Sequence, residues 1–257
     1  MRTIQELFPN ASSPPFPPPR AGEGQGGGED RSERQVSVIV PTSNAADTLP
    51  QLLEQLRASV LVEELIVVDG GSSDGSVSIA LTAGARVVAA VRGRGIQLAA
   101  GAGAAAGHWL LFLHADCRLS PDWEAAAAAF LAAQEATGRA GYFDFALDDA
   151  APAARRLERM VAWRCRLLAL PYGDQGLLIT RSLYHAVGGF APLPLMEDVD
   201  LVRRLGRRRL ARIGARCISS PKRYRREGYW RRPLRNLFCL SLYLVGVSPY
   251  RIVRLYG

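Results

Sequence analysis

The chain is almost without lysine: of its 32 basic residues, every one but Lys222 is arginine. This excludes the P-loop G-x-x-x-x-G-K-[ST], whose lysine reaches the phosphates of a bound nucleotide. G-x-G-x-x-G is missing as well. The glycine-rich turn reads Asp69-Gly-Gly-Ser-Ser-Asp-Gly75, and a carboxylate at its head would repel a pyrophosphate laid over it. Cys117, Cys165, Cys217 and Cys239 form no C-x-x-C pair, so neither a zinc site nor a disulfide framework is expected, and they read as reduced thiols of a cytoplasmic protein. The longest apolar run, Leu237 to Val247, is about half of what a bilayer-spanning helix needs, with Gly246 near its end and Pro249 just beyond it. Residues 1–35 lack the apolar centre of a secretory signal. Their six prolines and five glycines predict a disordered tail ahead of one domain over 36–257.

Acids are missing where the bases collect. Residues 36–202 carry a net charge of −6, whereas residues 203–257 carry +15 with Glu227 as their single acid. Such a segment suits an anionic membrane, a phosphorylated substrate or nucleic acid. No nucleic-acid module accompanies it, so no nucleic-acid partner is expected. The stretch Tyr229 to Val247 reads as a helix with Arg231, Arg232 and Arg235 at its head. It either makes a peripheral contact with an anionic membrane, packs on the domain, or contributes arginines that close over a diphosphate.

What is present is strand alternating with helix. Val36–Val40, Leu65–Val68, Arg86–Ala90 and Trp109–Leu113 are short apolar strands. Helices are predicted over Thr48–Arg57 with Asp47 as N-cap, Ser76–Ala83, Gly95–Ala106, Asp122–Ala133 and Ala153–Ala169. Repeated β-α-β units predict an α/β fold, a mostly parallel sheet with helices on both faces. Ligands of such sheets bind outside the carboxyl ends of the strands. Asn44, Asp69 and Asp116 stand at three of those ends, and acids directly behind apolar strands are costly unless paired or liganded. Asp69 suits the N–H of a nucleobase, and Asp116 suits a hard cation bridging phosphate oxygens. Capping of the next helix is the alternative use of such acids, and Asp74 is assigned to it.

Taken in order, Val38-Ile-Val-Pro-Thr-Ser-Asn44, Val67-Val-Asp-Gly-Gly-Ser-Ser-Asp-Gly75, Phe112-Leu-His-Ala-Asp116, Pro171-Tyr-Gly-Asp-Gln-Gly176, Val187-Gly-Gly-Phe190, Met196-Glu-Asp-Val-Asp200 and Gly246-Val-Ser-Pro249 resemble family 2 glycosyltransferases of the GT-A fold. The full series is similar to a bacterial subfamily associated with radical-SAM and selenium-domain gene neighbourhoods. The resemblance implies inverting transfer of a sugar from a nucleotide-diphosphate donor, UDP- or GDP-linked, to an acceptor hydroxyl on a small molecule or lipid, with Mn²⁺ or Mg²⁺. It places Asn44, Asp69 and Arg94 at the nucleotide, Asp116 and His114 at the metal, and Asp198 with Glu197 at the proton transfer. Asp174 and Gln175 fall on the acceptor side.

Three departures bear on the chemistry. His114 stands where the first acid of D-x-D is expected, leaving Asp116 as the single carboxylate. Ala99-Ala100 follow Gln97 where a polar residue is expected. The Q-x-x-R-W of processive synthases is replaced by Arg223-Tyr-Arg-Arg-Glu-Gly228, which argues against polymer synthesis. Glu197, Asp198 and Asp200 also read as an ordinary acidic helix start. A nucleotidyltransferase of related fold, or a non-catalytic protein that binds sugar nucleotides or membranes, therefore stays open as an alternative.

Overall fold

The computed structural model describes residues 36–134 and 138–256. The tail expected to be disordered lies outside them. Four parallel strands form the first half of the sheet: β1 (Val36–Thr42), β2 (Val62–Asp69), β3 (Arg86–Ala89) and β4 (Trp109–Phe112), ordered β3-β2-β1-β4. Successive side chains alternate between two cores, as a period of two requires. Val38, Val40, Leu65, Val67, Trp109 and Leu111 face one layer, with Leu49, Leu52, Leu53 and Leu56 of α1 (Leu49–Arg57). Ile39, Ile66, Val68, Leu110 and Phe112 face the other, under α3 (Arg94–Ala104). Between them lies the short α2 (Ser76–Thr82).

α3 approaches the sheet closely because Gly101 has no side chain. A Cβ there would lie 2.3 Å from Ile39 Cγ2 and 2.8 Å from Val68 Cγ2. Gly101→Ala is expected to destabilise the fold by about 1–3 kcal/mol despite alanine's better helix propensity, because both contacts are core side chains that cannot yield. Urea unfolding read by circular dichroism measures it; an unchanged midpoint would contradict the packing.

The second half of this mostly parallel sheet is mixed. Next to β4 comes β7 (Leu177–Thr180), antiparallel, and beyond it β6 (Ala140–Leu147), β8 (Leu210–Ser219) and β5 (Cys117–Leu119), with β6 and β8 parallel to each other. β8 alternates buried and exposed residues where β1 and β4 are buried almost throughout, because only one of its faces is covered. The small strand β5 leaves the end of β4 and pairs with β8, and Ser220 N–H donates to the Asp116 carbonyl at 3.0 Å. That pairing brings the segment after β8 to the carboxyl end of β4.

The remaining helices are α4 (Trp123–Gln134), α5 (Pro152–Leu168), α6 (Arg181–Ala186), α7 (Glu197–Leu205), α8 (Lys222–Glu227), α9 (Arg231–Leu244) and α10 (Pro249–Tyr256). The single helix expected over Tyr229–Val247 is thus α9, shorter at both ends. It stops before Gly246 at φ +90°, and Pro249 opens α10. Asp47 does not cap α1. The cap position belongs to Thr48, and Asp47 instead lies 3.4 Å from Lys222 Nζ on the surface.

Candidate active site

The loops at the strand ends are laced together by short polar side chains. Asn44, at φ +50°, accepts from Ser73 N–H through Oδ1 (2.9 Å), and its own N–H donates to Ser72 Oγ (2.9 Å). The Asp69 carboxylate accepts from Gly71 N–H (3.0 Å), Ser72 N–H (3.0 Å) and Ser72 Oγ (2.5 Å). Asp74 accepts from Ser76 N–H and Ser76 Oγ at the start of α2, but the cap position itself belongs to Gly75. Gln97 is buried and donates from Nε2 to the carbonyls of Thr42 (2.9 Å) and Val68 (2.8 Å), tying the ends of β1 and β2 to α3. Ala99 and Ala100, where a polar residue was expected, pack against the second core.

At the end of β4, His114 and Asp116 face a cleft. Burial, with the Arg94 guanidinium nearby, pushes the His114 imidazole down to about 4, so it is neutral at pH 7. Opposite stands the turn Gly173–Gln175 ahead of β7. Gly173 is not among the residues with positive φ, so it is not there for backbone freedom. A Cβ on it would lie 2.9 Å from His114 Nε2 and 3.3 Å from Asp198 Oδ2, so the two groups face one small space that only glycine leaves open.

α7 brings the acids. Met196 precedes it at φ +67°, and Asp198 accepts from Gly173 N–H through Oδ2 (2.7 Å) and from Val199 N–H through Oδ1 (2.7 Å). Glu197 is 1% exposed and lies 3.4 Å from Arg94, the first residue of α3. Burial, reinforced by the Asp198 carboxylate, raises Glu197 to about 7. Burial likewise raises Asp174 to about 6. Asp200 turns away: it binds Arg204 (2.6 Å) and Tyr243 Oη (3.2 Å), and Arg204 continues to the Gly189 carbonyl (2.6 Å). The three acids therefore part company: two line the cleft, and the third braces the loop before α7.

Two lobes meet here. One, of about 1040 Å³, runs from Thr42, Asn44 and Thr48 to Asp116. The other, of about 840 Å³, runs from Asp116 past Asp174, Glu197 and Asp198 to Tyr224, Arg232 and Asn236. Arg94, His114, Asp116, Ser220 and Arg223 border both. The sequence-predicted residues Asn44, Arg94, His114, Asp116, Asp174, Glu197 and Asp198 thus line a single cleft. Asp69 does not line either lobe. Gln175 does not either: it is 2% exposed, donates to the Phe143 carbonyl (3.0 Å) and accepts from Arg164 (3.1 Å), so its amide is used inside the domain. Sequence reasoning missed Ser220, Tyr224 and Asn236 as cleft residues, whereas Arg232 was among the arginines offered for a diphosphate. Arg223 had its signal in the string Arg223–Gly228.

The residues present fit a cation shared with substrate. His114 Nε2 is buried without a hydrogen-bond partner, and Asp116 lines both lobes beside it. No group of three His, Cys, Asp or Glu could hold a metal among the described residues, so a cation here needs phosphate and water for its other ligands, as Mn²⁺ and Mg²⁺ do. A ring nitrogen beside one carboxylate favours Mn²⁺, since Mg²⁺ takes oxygen.

Residues 37–193 match Glycosyl transferase family 2. A stretch of 60 residues is 40% identical to glucosyl-3-phosphoglycerate synthase of Mycolicibacterium paratuberculosis, covering 23% of this chain and 18% of that one. A second, of 114 residues, is 37% identical to a PGL/p-HBAD biosynthesis glycosyltransferase of Mycobacterium tuberculosis, covering 38% and 42%. The chain thus spans less than half the length of these curated relatives. In structure it is similar to Mycobacterium tuberculosis glucosyl-3-phosphoglycerate synthase in complex with Mn²⁺, UDP and phosphoglyceric acid, with TM-score 0.55 and 22% identity over 84% of this chain and 80% of that one. The complex with Mn²⁺, UDP and glucosyl-3-phosphoglycerate gives 0.52 and 21% over 77% of each. These likenesses show the GT-A fold, and with the family match over more than half of its length the chain belongs to glycosyl transferase family 2.

Proposed function

We propose that the protein transfers a sugar from a nucleotide-diphosphate donor to an acceptor hydroxyl with inversion. The observation that carries this reading is the Asp198 carboxylate, fixed by two backbone N–H groups, facing the same space as His114 where the two lobes meet. The lobe reaching Asn44 takes the nucleoside, with Asp69 shaping its loop. UDP is favoured as its carrier, since the solved relatives are complexes with UDP. The other lobe takes the acceptor, with Asp174 on its wall.

Asp198 receives the proton of the acceptor hydroxyl as that oxygen attacks the anomeric carbon. The bond from that carbon to the diphosphate breaks, and its electron pair leaves with the nucleoside diphosphate. Arg94 and Arg223, bordering both lobes, stabilise the charge that develops there. Asp116 and His114 would hold a divalent cation, which supplies further positive charge to the diphosphate oxygens. Glu197, buried beside Arg94, orients that guanidinium. The His114 pattern also fits the radical-SAM/selenodomain-associated subfamily, which we infer on the motif series alone.

A thermal-shift panel of UDP- and GDP-sugars, with and without Mn²⁺ or Mg²⁺, tests the donor site. At about 100-fold excess over Kd, a matching donor is expected to raise Tm by about 5–10 °C. Released nucleoside diphosphate identifies sugar transfer, whereas pyrophosphate would identify a nucleotidyltransferase. No stabilisation by any donor would sink the reading.

A further inference from the structure

α9 carries a row of apolar side chains on its outer side. Leu234, Leu237, Phe238 and Leu244, with Val245 at the C-cap, are 48–78% exposed and share one helical stripe that Ser241 interrupts. Its inner side buries Cys239 and Leu240 in the second core, and Arg232 and Asn236 line the cleft. At the head of α9, Trp230 shares a groove with Met160 of α5, and α5 continues the exposed row with Trp163 and Leu167 at helical spacing. A row of this size, running about three helical turns, is more than scattered surface apolarity.

The exposed charges of α9, α10 and α5 are all arginines. Residues 228–257 hold five arginines and no acid. Arg231, Arg251 and Arg254 are exposed there, as are Arg156, Arg159 and Arg166 on α5. The acids beside these helices are already bound: Glu227 by Arg226, Arg232 and Arg235, Asp200 by Arg204, Asp149 by Arg225 and Glu158 by Arg155. Trp163, Trp230 and Tyr250, each more than half exposed, are the amphipathic aromatics that sit at headgroup level. No described helix is long and apolar enough to cross a membrane.

We propose that the outer face of α9, extended by the Trp163 side of α5, docks on the surface of an anionic lipid bilayer. α9 then lies in the plane of the interface with its apolar row among the acyl boundary and the arginines at the phosphates. A second copy of the chain is the poorer occupant, since it would oppose arginine to arginine with no acid in 228–257 to pair them. Because the inner side of α9 lines the acceptor lobe, docking sets the mouth of that lobe beside the bilayer. The docking face itself stands independently of the transfer reaction.

The test is co-sedimentation of the full chain with vesicles of phosphatidylcholine alone and of phosphatidylcholine mixed with phosphatidylglycerol. Binding is expected only with the mixed vesicles and weaker in high salt. Leu237→Glu combined with Phe238→Glu is expected to weaken partitioning about tenfold or more, as is Arg231→Gln combined with Arg251→Gln and Arg254→Gln. Tm and the mass in solution should stay unchanged in both. Equal binding to the two vesicle types, no binding to either, or variants that bind as the parent does would overturn the proposal. So would a dimer of the parent that the glutamate variant splits, because the row would then be an interface between copies.

Discussion

Asp198→Asn is expected to lower kcat/KM for donor turnover by about 10²–10⁴-fold, the range lost when a general base is removed. The substitution is close to isosteric. The amide oxygen of asparagine can still accept the Gly173 N–H that now donates to Oδ2, so the turn Gly173–Gln175 keeps its anchor and the fold its stability. What disappears is the capacity to take a proton from the acceptor hydroxyl. The two neighbouring acids do not replace it. Glu197 is almost fully buried against Arg94, and Asp174 has an oxygen that no hydrogen bond holds in place. Release of nucleoside diphosphate measures the loss, and the donor-induced rise in Tm serves as the control. Loss of turnover with the Tm rise retained is the expected pair. Full turnover in the variant would remove Asp198 from the chemistry and return the acids of α7 to the role of an ordinary helix start.

The first half of the sheet is legible because its signal is local. β1, β2 and β4 are apolar runs closed by a polar group, and a strand end in a parallel sheet is a ligand edge. Asn44, His114 and Asp116 could be placed at the cleft without knowing what lies opposite. The opposite wall was not legible in the same way. β6 pairs with β8, about seventy residues on, and no local pattern announces that pairing. It is this pairing, with β5, that returns residues 220–236 to the end of β4, so Tyr224 and Asn236 became cleft residues only in three dimensions. Gln175 shows the converse: it stands next to Asp174 of the cleft, but its amide turns inward to Phe143 and Arg164, a choice made by tertiary partners. Gly173 lies in a turn, and its constraint is the imidazole that a Cβ would strike. The net charge of the last segment, plain in the sequence, divides in the fold between an inner face at the cleft and an outer face on α9.

Asp116→Asn is expected to abolish the extra stabilisation that Mn²⁺ gives to donor binding. With His114 in the first position of the acidic pair, Asp116 is the single carboxylate at the end of β4, and no third protein ligand stands by among the described residues. A cation in this cleft therefore depends on one negative side chain, a neutral imidazole and the diphosphate of the donor. Asparagine keeps an oxygen in place but removes the charge, and the backbone link from Ser220 to the Asp116 carbonyl is untouched, so the loop should hold its shape. The readout is the donor-induced rise in Tm measured with Mn²⁺ and with chelator. In the parent the two are expected to differ by several degrees, and in the variant to coincide at the lower value. His114→Gln separates the two ligands: it keeps a polar group but loses the ring nitrogen, so a partial loss of the Mn²⁺ increment is expected together with a shift of preference toward Mg²⁺. If Asp116→Asn leaves the Mn²⁺ increment intact, the carboxylate is not a ligand, and the charge of the leaving diphosphate falls to Arg94 and Arg223 alone.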